Sequence, residues 1–188
     1  MNLVKSNSKK KFLVAFTVLF TLALSLTAFA TDYTTAYSTT YNGQTAVRYE
    51  LKIDSSRKLV QINYGGTRSW RNNNPGNLRY GSFSSTNGAI GSDYGSFSIF
   101  PDYQTGYAAM KTLINTTYYN HTIESMMYIY APPEENDTAG YINYLVNTTG
   151  MSRNTYIRNM SSTQLNSLLN AIISHEGFTA GSTTSFVE

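Results

Sequence analysis

The segment from Ser161 to Gly177 constrains the chain more than any other, because it carries the start, face and end signals of a single amphipathic helix. Ser161 and Gln164 stand in an S-x-x-Q spacing, in which each side chain can satisfy the other's free backbone N–H. Leu165, Leu168, Leu169, Ile172 and Ile173 fill i, i+3, i+4, i+7 and i+8, and Gly177 stands where a glycine cap belongs. Glu176 continues the apolar stripe instead of facing water, in the final turn, where the helix dipole is unfavourable to a carboxylate. Both effects favour the un-ionised acid. A carboxyl kept protonated is what general-acid cleavage of a glycosidic bond requires. The plainer reading is a carboxylate that reaches past the helix end to a Lys or Arg.

The rest of the chain reads as α+β with helices dominant. Residues 31–44 are rich in Thr, Tyr, Ser and Asn without a period, which predicts an irregular arm. From Ala46 to Tyr64 the residues alternate, with Val47, Tyr49, Leu51 and Ile53 on one face and a turn at Asp54–Arg57, which predicts a small hairpin. Phe97 to Phe100 predict a short strand. Helices are predicted from Asp102 through Ile114, over Ile123–Tyr130 behind a Thr122 cap, and over Thr138–Val146. In Asn74-Pro75-Gly76-Asn77, Pro75 suits the second turn position, and Gly76 suits a positive φ at the third. The expected fold is therefore a predominantly α-helical domain over 65–180, preceded by an arm and hairpin at 31–64 and followed by a flexible tail at 181–188.

Composition removes several chemistries. With no Cys there is no disulfide framework, no thiolate zinc site and no cysteine nucleophile. The two His, His121 and His175, form no H-E-x-x-H pair, no G-x-S-x-G occurs and no glycine-rich phosphate motif follows a strand, so neither a metal nor a cofactor is expected. Lys5, Lys9, Lys10 and Lys11 precede an apolar run from Phe12 to Leu26, and Ala28-Phe29-Ala30 then supplies a cleavage site. Residues 1–30 thus read as a secretory signal, against the alternative of an uncleaved anchor. Without these lysines the chain holds 10 basic against 11 acidic residues, so its basic pI carries no implication of nucleic-acid binding. The expected place of action is outside the cytoplasm, secreted or at the cell wall, with no stable membrane anchor after cleavage.

Two further stretches are candidates for ligand contact. Asn72 to Asn77, between Trp70 and Tyr80, offers amides for sugar hydroxyl or acetamido groups and aromatic faces for a pyranose ring; ordinary turn chemistry explains the same residues. Glu134-Glu135-Asn136-Asp137 follows Pro132-Pro133, where acidic residues at a helix start serve capping at least as well as catalysis.

Four blocks of the sequence carry a resemblance. Arg71-Asn72-Asn73-Asn74-Pro75-Gly76-Asn77-Leu78-Arg79 resembles the Arg-Asn-Asn-Pro-Gly-Asn signature of a family of phage virion-associated and bacterial proteins. Phe97 to Met110, Ala131 to Tyr141, and Ala171-Ile172-Ile173-Ser174-His175-Glu176-Gly177 resemble that family's later blocks in the same order. The family is associated with the lysozyme-like superfamily of peptidoglycan-cleaving enzymes. In those enzymes the acid-bearing helix precedes the Asn-rich region, whereas here it follows, and this chain lacks the family's Asn between Glu176 and Gly177. The resemblance implies glycan-strand cleavage with Glu176 as the acid, as a lytic transglycosylase or a muramidase or glucosaminidase. Glu135 or Asp137 would be the second carboxylate that a hydrolase needs. It implies substrate contacts from Asn73, Asn74, Asn77, Arg79, Asn136, Asp137 and Tyr141. A non-catalytic wall-binding or structural protein is the alternative.

Overall fold

A computed structural model describes residues 33–188, which form one compact unit from Tyr33 to Glu188. The signal reading at 1–30 lies outside the described residues. In chain order the elements are β1 (Thr35–Tyr41), β2 (Gln44–Lys52), β3 (Lys58–Tyr64), α1 (Arg68–Arg71), α2 (Ser82–Thr86), β4 (Gly91–Ser92), β5 (Ser98–Ile99), α3 (Tyr103–Thr116), α4 (Ile123–Tyr130), α5 (Thr138–Thr149), a 3₁₀ turn (Ile157–Asn159), α6 (Ser162–Glu176) and β6 (Ser182–Val187).

Helix accounts for 39% and strand for 24% of the chain described, so the domain is a mixed α+β fold and not a predominantly helical one. The expected small hairpin is two strands of a four-stranded antiparallel sheet in the order β1-β2-β3-β6. The predicted irregular arm supplies β1, and the predicted tail supplies β6. Neither has an aliphatic alternation to announce it. Both are rich in Thr, which fits a pleated surface once a neighbouring strand offers its ladder. β1 gains that ladder from β2, closed by a turn with Asn42 and Gly43 at positive φ, and β6 gains it from the free edge of β3.

The sheet is apolar on both faces, which explains why single-face alternation misled. Val47, Tyr49, Leu59 and Ile99 pack with Tyr33 and Ala36, whereas Ala46, Val60 and Ile62 form a separate cluster with Tyr41 and Tyr64. Ile53, assigned to the buried face, lies beyond β2 and is exposed. Glu50 is buried and ion-paired with Arg48 and Lys58, at 2.7 Å each, and Arg48 also pairs with Glu188 beyond β6.

The main core is built by α3 to α6, and here the apolar stripes behave as the sequence predicts. Met110 and Ile114 of α3, Met126 and Met127 of α4, Ile142 and Leu145 of α5, and Leu168, Leu169 and Ile172 of α6 are fully or almost fully buried. Asp102, Thr122, Asp137 and Ser161 cap the four helices with side-chain acceptors. Among the described residues no helix is long and apolar enough to cross a membrane.

Candidate functional site

The α6 stripe ends on Glu176, and Gly177, at φ 72°, turns the chain away immediately after it. Ser69 of α1 donates its hydroxyl to the Gly177 carbonyl, and Thr67 N–H bonds to Thr179 O at 3.0 Å, so the helix end is tied to the start of the Asn-rich loop. This leaves the Glu176 side chain half-buried. Asn77 Nδ2 donates to its Oε2 at 2.8 Å, and the Tyr141 hydroxyl donates to its Oε1 at 2.8 Å.

The loop reaches Glu176 because its other amides hold it from beneath. Asn74 is fully buried: its Nδ2 donates to Leu78 O and Ser98 O, and its Oδ1 accepts from Leu78 N–H, each at 2.9 Å. Asn73 Nδ2 donates to Phe100 O and Pro101 O, and Asn72 Nδ2 to Asp93 Oδ2 at 3.0 Å. Asn73 and Asn74 therefore spend their side chains on backbone carbonyls and do not present them to a ligand. Asn77 is the member of the run that faces the acid. Positive φ falls on Asn73 (52°) and Asn77 (47°), and not on Gly76 as the turn chemistry predicts. Asn tolerates that region, and Gly76 is needed for another reason. A Cβ there would come within 2.6 Å of Met110 Sδ and 2.8 Å of the Tyr130 hydroxyl, which itself donates to Gly76 O.

In front of this arrangement lies a cleft of about 430 Å³ lined by Asn77, Arg79, Glu135, Asn136 and Glu176. Arg68, Phe97, Tyr118, Tyr130 and several aliphatic residues complete the wall. Arg79 crosses to Glu135, with Nη2 2.5 Å from Oε2, both side chains being more than half exposed. Asn136 donates to Pro132 O at 3.3 Å. Asp137 does not line the cleft: it caps α5 by accepting from Gly140 N–H at 2.9 Å. Tyr141 is buried behind Glu176 and reaches the site only through its hydroxyl. Trp70 and Tyr80, the aromatic neighbours of the loop, are not part of the wall.

Burial raises the Tyr141 hydroxyl far above the ordinary tyrosine range, and the Glu176 carboxylate adds to the shift. The same two causes, in the same order, act on Tyr130. Both are therefore neutral hydrogen-bond donors across the physiological range. His175 stacks on the Tyr141 ring, with centroids 3.6 Å apart and planes at 16°, and leans against Tyr144. Sequence reasoning assigned His175 no partner; the i, i+1 relation to Glu176 gave no hint that it would support the tyrosine behind the acid.

Arg68, Phe97 and Tyr130 also escaped the sequence. Tyr130 ends the apolar stripe of α4, and its position was the one available signal. Arg68 and Phe97 come from segments brought together by the loop 93–97, where Asp93 accepts from Gly95 N–H at 2.8 Å and Phe97 N–H at 2.9 Å.

The site thus belongs to a mixed α+β domain with two carboxylates, Glu176 and Glu135, at the wall of a polar and aromatic cleft. Over 101 residues the chain is 35% identical to Protein P5 of Pseudoalteromonas phage PM2, a match that spans 50% of this chain and 62% of that protein. No protein-family model matches the chain, and no solved structure matches it.

Proposed function

We propose that the protein acts outside the cytoplasm and cleaves the glycan strands of peptidoglycan, with Glu176 as general acid. The observation that carries this reading is the position of Glu176, half-buried at the wall of the cleft and held by Asn77 and Tyr141. The four-block resemblance to a family of phage virion-associated and bacterial proteins, one associated with the lysozyme-like superfamily, supports it.

The chemistry follows from one carboxyl. Protonated Glu176 delivers its proton to the leaving glycosidic oxygen, and an oxocarbenium-like centre develops on the sugar. In a lytic transglycosylase the substrate's own hydroxyl then attacks that carbon, and Glu176 takes the proton back. Asn77 suits such a cycle. Its Oδ1 is buried without a hydrogen-bond partner among the described residues, so a half-turn of the amide would present an acceptor to the protonated acid. That turn leaves no more unmet polar atoms than before. For a hydrolase, Glu135 is the second carboxylate that lines the same cleft. Digestion of purified cell wall, with mass analysis of the products for anhydro-muramyl ends, tests the reading and separates the two outcomes.

A second reading has one observation in its favour. Both Glu176 oxygens already accept hydrogen bonds from the protein, which is also how a carboxylate staples a loop to a helix. On that reading the domain binds wall glycan without cutting it.

A further inference from the structure

Glu176 occupies one part of the cleft wall, and two arginines stand elsewhere in it. The Arg68 and Arg79 guanidinium carbons lie over the Phe97 ring, 4.5 and 4.2 Å from its centroid. Stacking on an aromatic face holds a guanidinium flat and costs it little hydration. Arg68 is anchored through Nε to Asp93 Oδ2 at 3.0 Å, and its terminal nitrogens carry no hydrogen bond to any described residue. Asp93, in turn, is held by the Asn72 amide and by two backbone N–H groups, so this anchor is fixed. Arg79 is anchored by Nη1 to Gly95 O at 2.9 Å and offers Nη2 to Glu135.

The cleft therefore contains two pre-oriented guanidiniums, one with terminal donors free of any described residue and one whose carboxylate partner among the described residues, Glu135, is exposed. Exposed ion pairs contribute little, about 0–1 kcal/mol. Glu135 shows that Arg79 accepts a carboxylate there, yet nothing holds that carboxylate against a competitor.

We propose that Arg68, Phe97 and Arg79 form a subsite for a carboxylate of the polymer, on the lactyl group or the peptide stem, which displaces Glu135 from Arg79 on binding. This rests on the peptidoglycan reading and adds to it a preference for acidic over neutral glycan. Glu135 then acts as an internal occupant of the subsite, keeping the two arginines from attracting other anions when the cleft is empty.

The test compares binding of the full protein to purified sacculi before and after amidation of their carboxyl groups, alongside a neutral N-acetylglucosamine oligomer. Amidation should weaken binding by about tenfold or more, as expected for loss of a charge-assisted hydrogen-bonded pair. Arg68→Gln and Arg79→Gln should show a comparable loss on native sacculi and little further loss on amidated ones. Glu135→Gln should bind native sacculi more tightly. The amidation arm uses the unaltered protein, so it stands even if a variant fails to fold. Equal binding of native and amidated sacculi overturns the subsite. If cleavage of both persists, the proposed function survives that result. If the protein neither binds nor cuts either one, both proposals fall.

Discussion

Asn77 and Glu176 are separated by 99 positions in the chain and by 2.8 Å between Nδ2 and Oε2. The contact joins the Asn-rich loop to the end of α6 at the wall of the cleft. It defines what each substitution at the site should do.

Glu176→Gln keeps size and hydrogen-bonding capacity but has no proton to give. If Glu176 is the acid, wall cleavage should fall by roughly 10²–10⁴-fold, with the thermal unfolding midpoint nearly unchanged and wall binding retained. Cleavage at the parental rate would show that Glu176 is not the acid and would make Glu135, which lines the same cleft, the next carboxylate to replace. The measurement is turbidity loss of purified wall, paired with a thermal melt.

Asn77→Gly isolates the amide, because glycine adopts the φ of 47° without strain. The backbone turn should survive while Glu176 loses one of its two holders. We expect cleavage to fall by about tenfold, as positioning effects of this kind do. A purely structural Asn77 would lower the melting temperature and leave the cleavage rate of the folded variant where it was.

Gly106→Ala tests the close approach of α3 to the loop. A Cβ at Gly106 would stand 1.9 Å from the Asn73 carbonyl oxygen, a backbone atom with no rotamer to escape into. The loop or the helix must shift, and overpacking of this sort costs about 1–3 kcal/mol. Chemical denaturation should report that loss, and wall cleavage should fall with it because the same loop carries Asn77.

Alkaline titration should set three of the 16 tyrosines apart. Burial raises Tyr49, Tyr130 and Tyr141 well above their ordinary value in the folded protein. Folding therefore favours their protonated forms, and the stability this linkage supports is fully present below about pH 10 and is lost as pH rises beyond it. Absorbance at the phenolate band should show these three ionising only together with unfolding, as a cooperative step.

At the acid end the sign reverses. The hydrogen bond from Lys58, with those from Arg48 and Tyr37, holds Glu50 down to about 2. Its contribution to stability is present above the ordinary carboxylate range and is lost as pH falls through that range towards 2. Glu50→Gln should lower the melting temperature at pH 7 and flatten its decline between pH 5 and 2.

The helical half of the fold was legible because its information is local. Ser161, Gln164 and the leucine stripe specify α6 without help from elsewhere, and Thr122 and Asp102 mark their helices in the same way. β1 and β6 were not legible, since a Thr-, Ser- and Tyr-rich segment becomes a strand only when an edge is offered to it. For β6 that edge is β3, with Asn63 opposite Thr183. At the site, the stripe carrying Glu176 and the amide-rich loop could be read directly, whereas the division of labour among the amides could not. Asn73, Asn74 and Asn77 are chemically identical, and only the positions of distant carbonyls and of one carboxylate make the first two into struts and the third into a partner of the acid. The arginine pair on Phe97 had no periodicity or motif to reveal it.

The pairing of β6 with β3 has a consequence for the order in which the molecule can be assembled. A ribosome delivers β3 more than 100 residues before β6, so that edge of the sheet stays bare until β6 follows, with the slow closure and sticking hazard that distant pairings bring. Laying β6 along β3 also brings Gly181 against Tyr64 and Gly65, next to the bonds that join Thr67 to Thr179 and Ser69 to Gly177. The strand that seals the sheet thus draws the end of α6 into register with the loop. Until β6 lies along β3, the Glu176 carboxylate lacks the setting that these bonds give it.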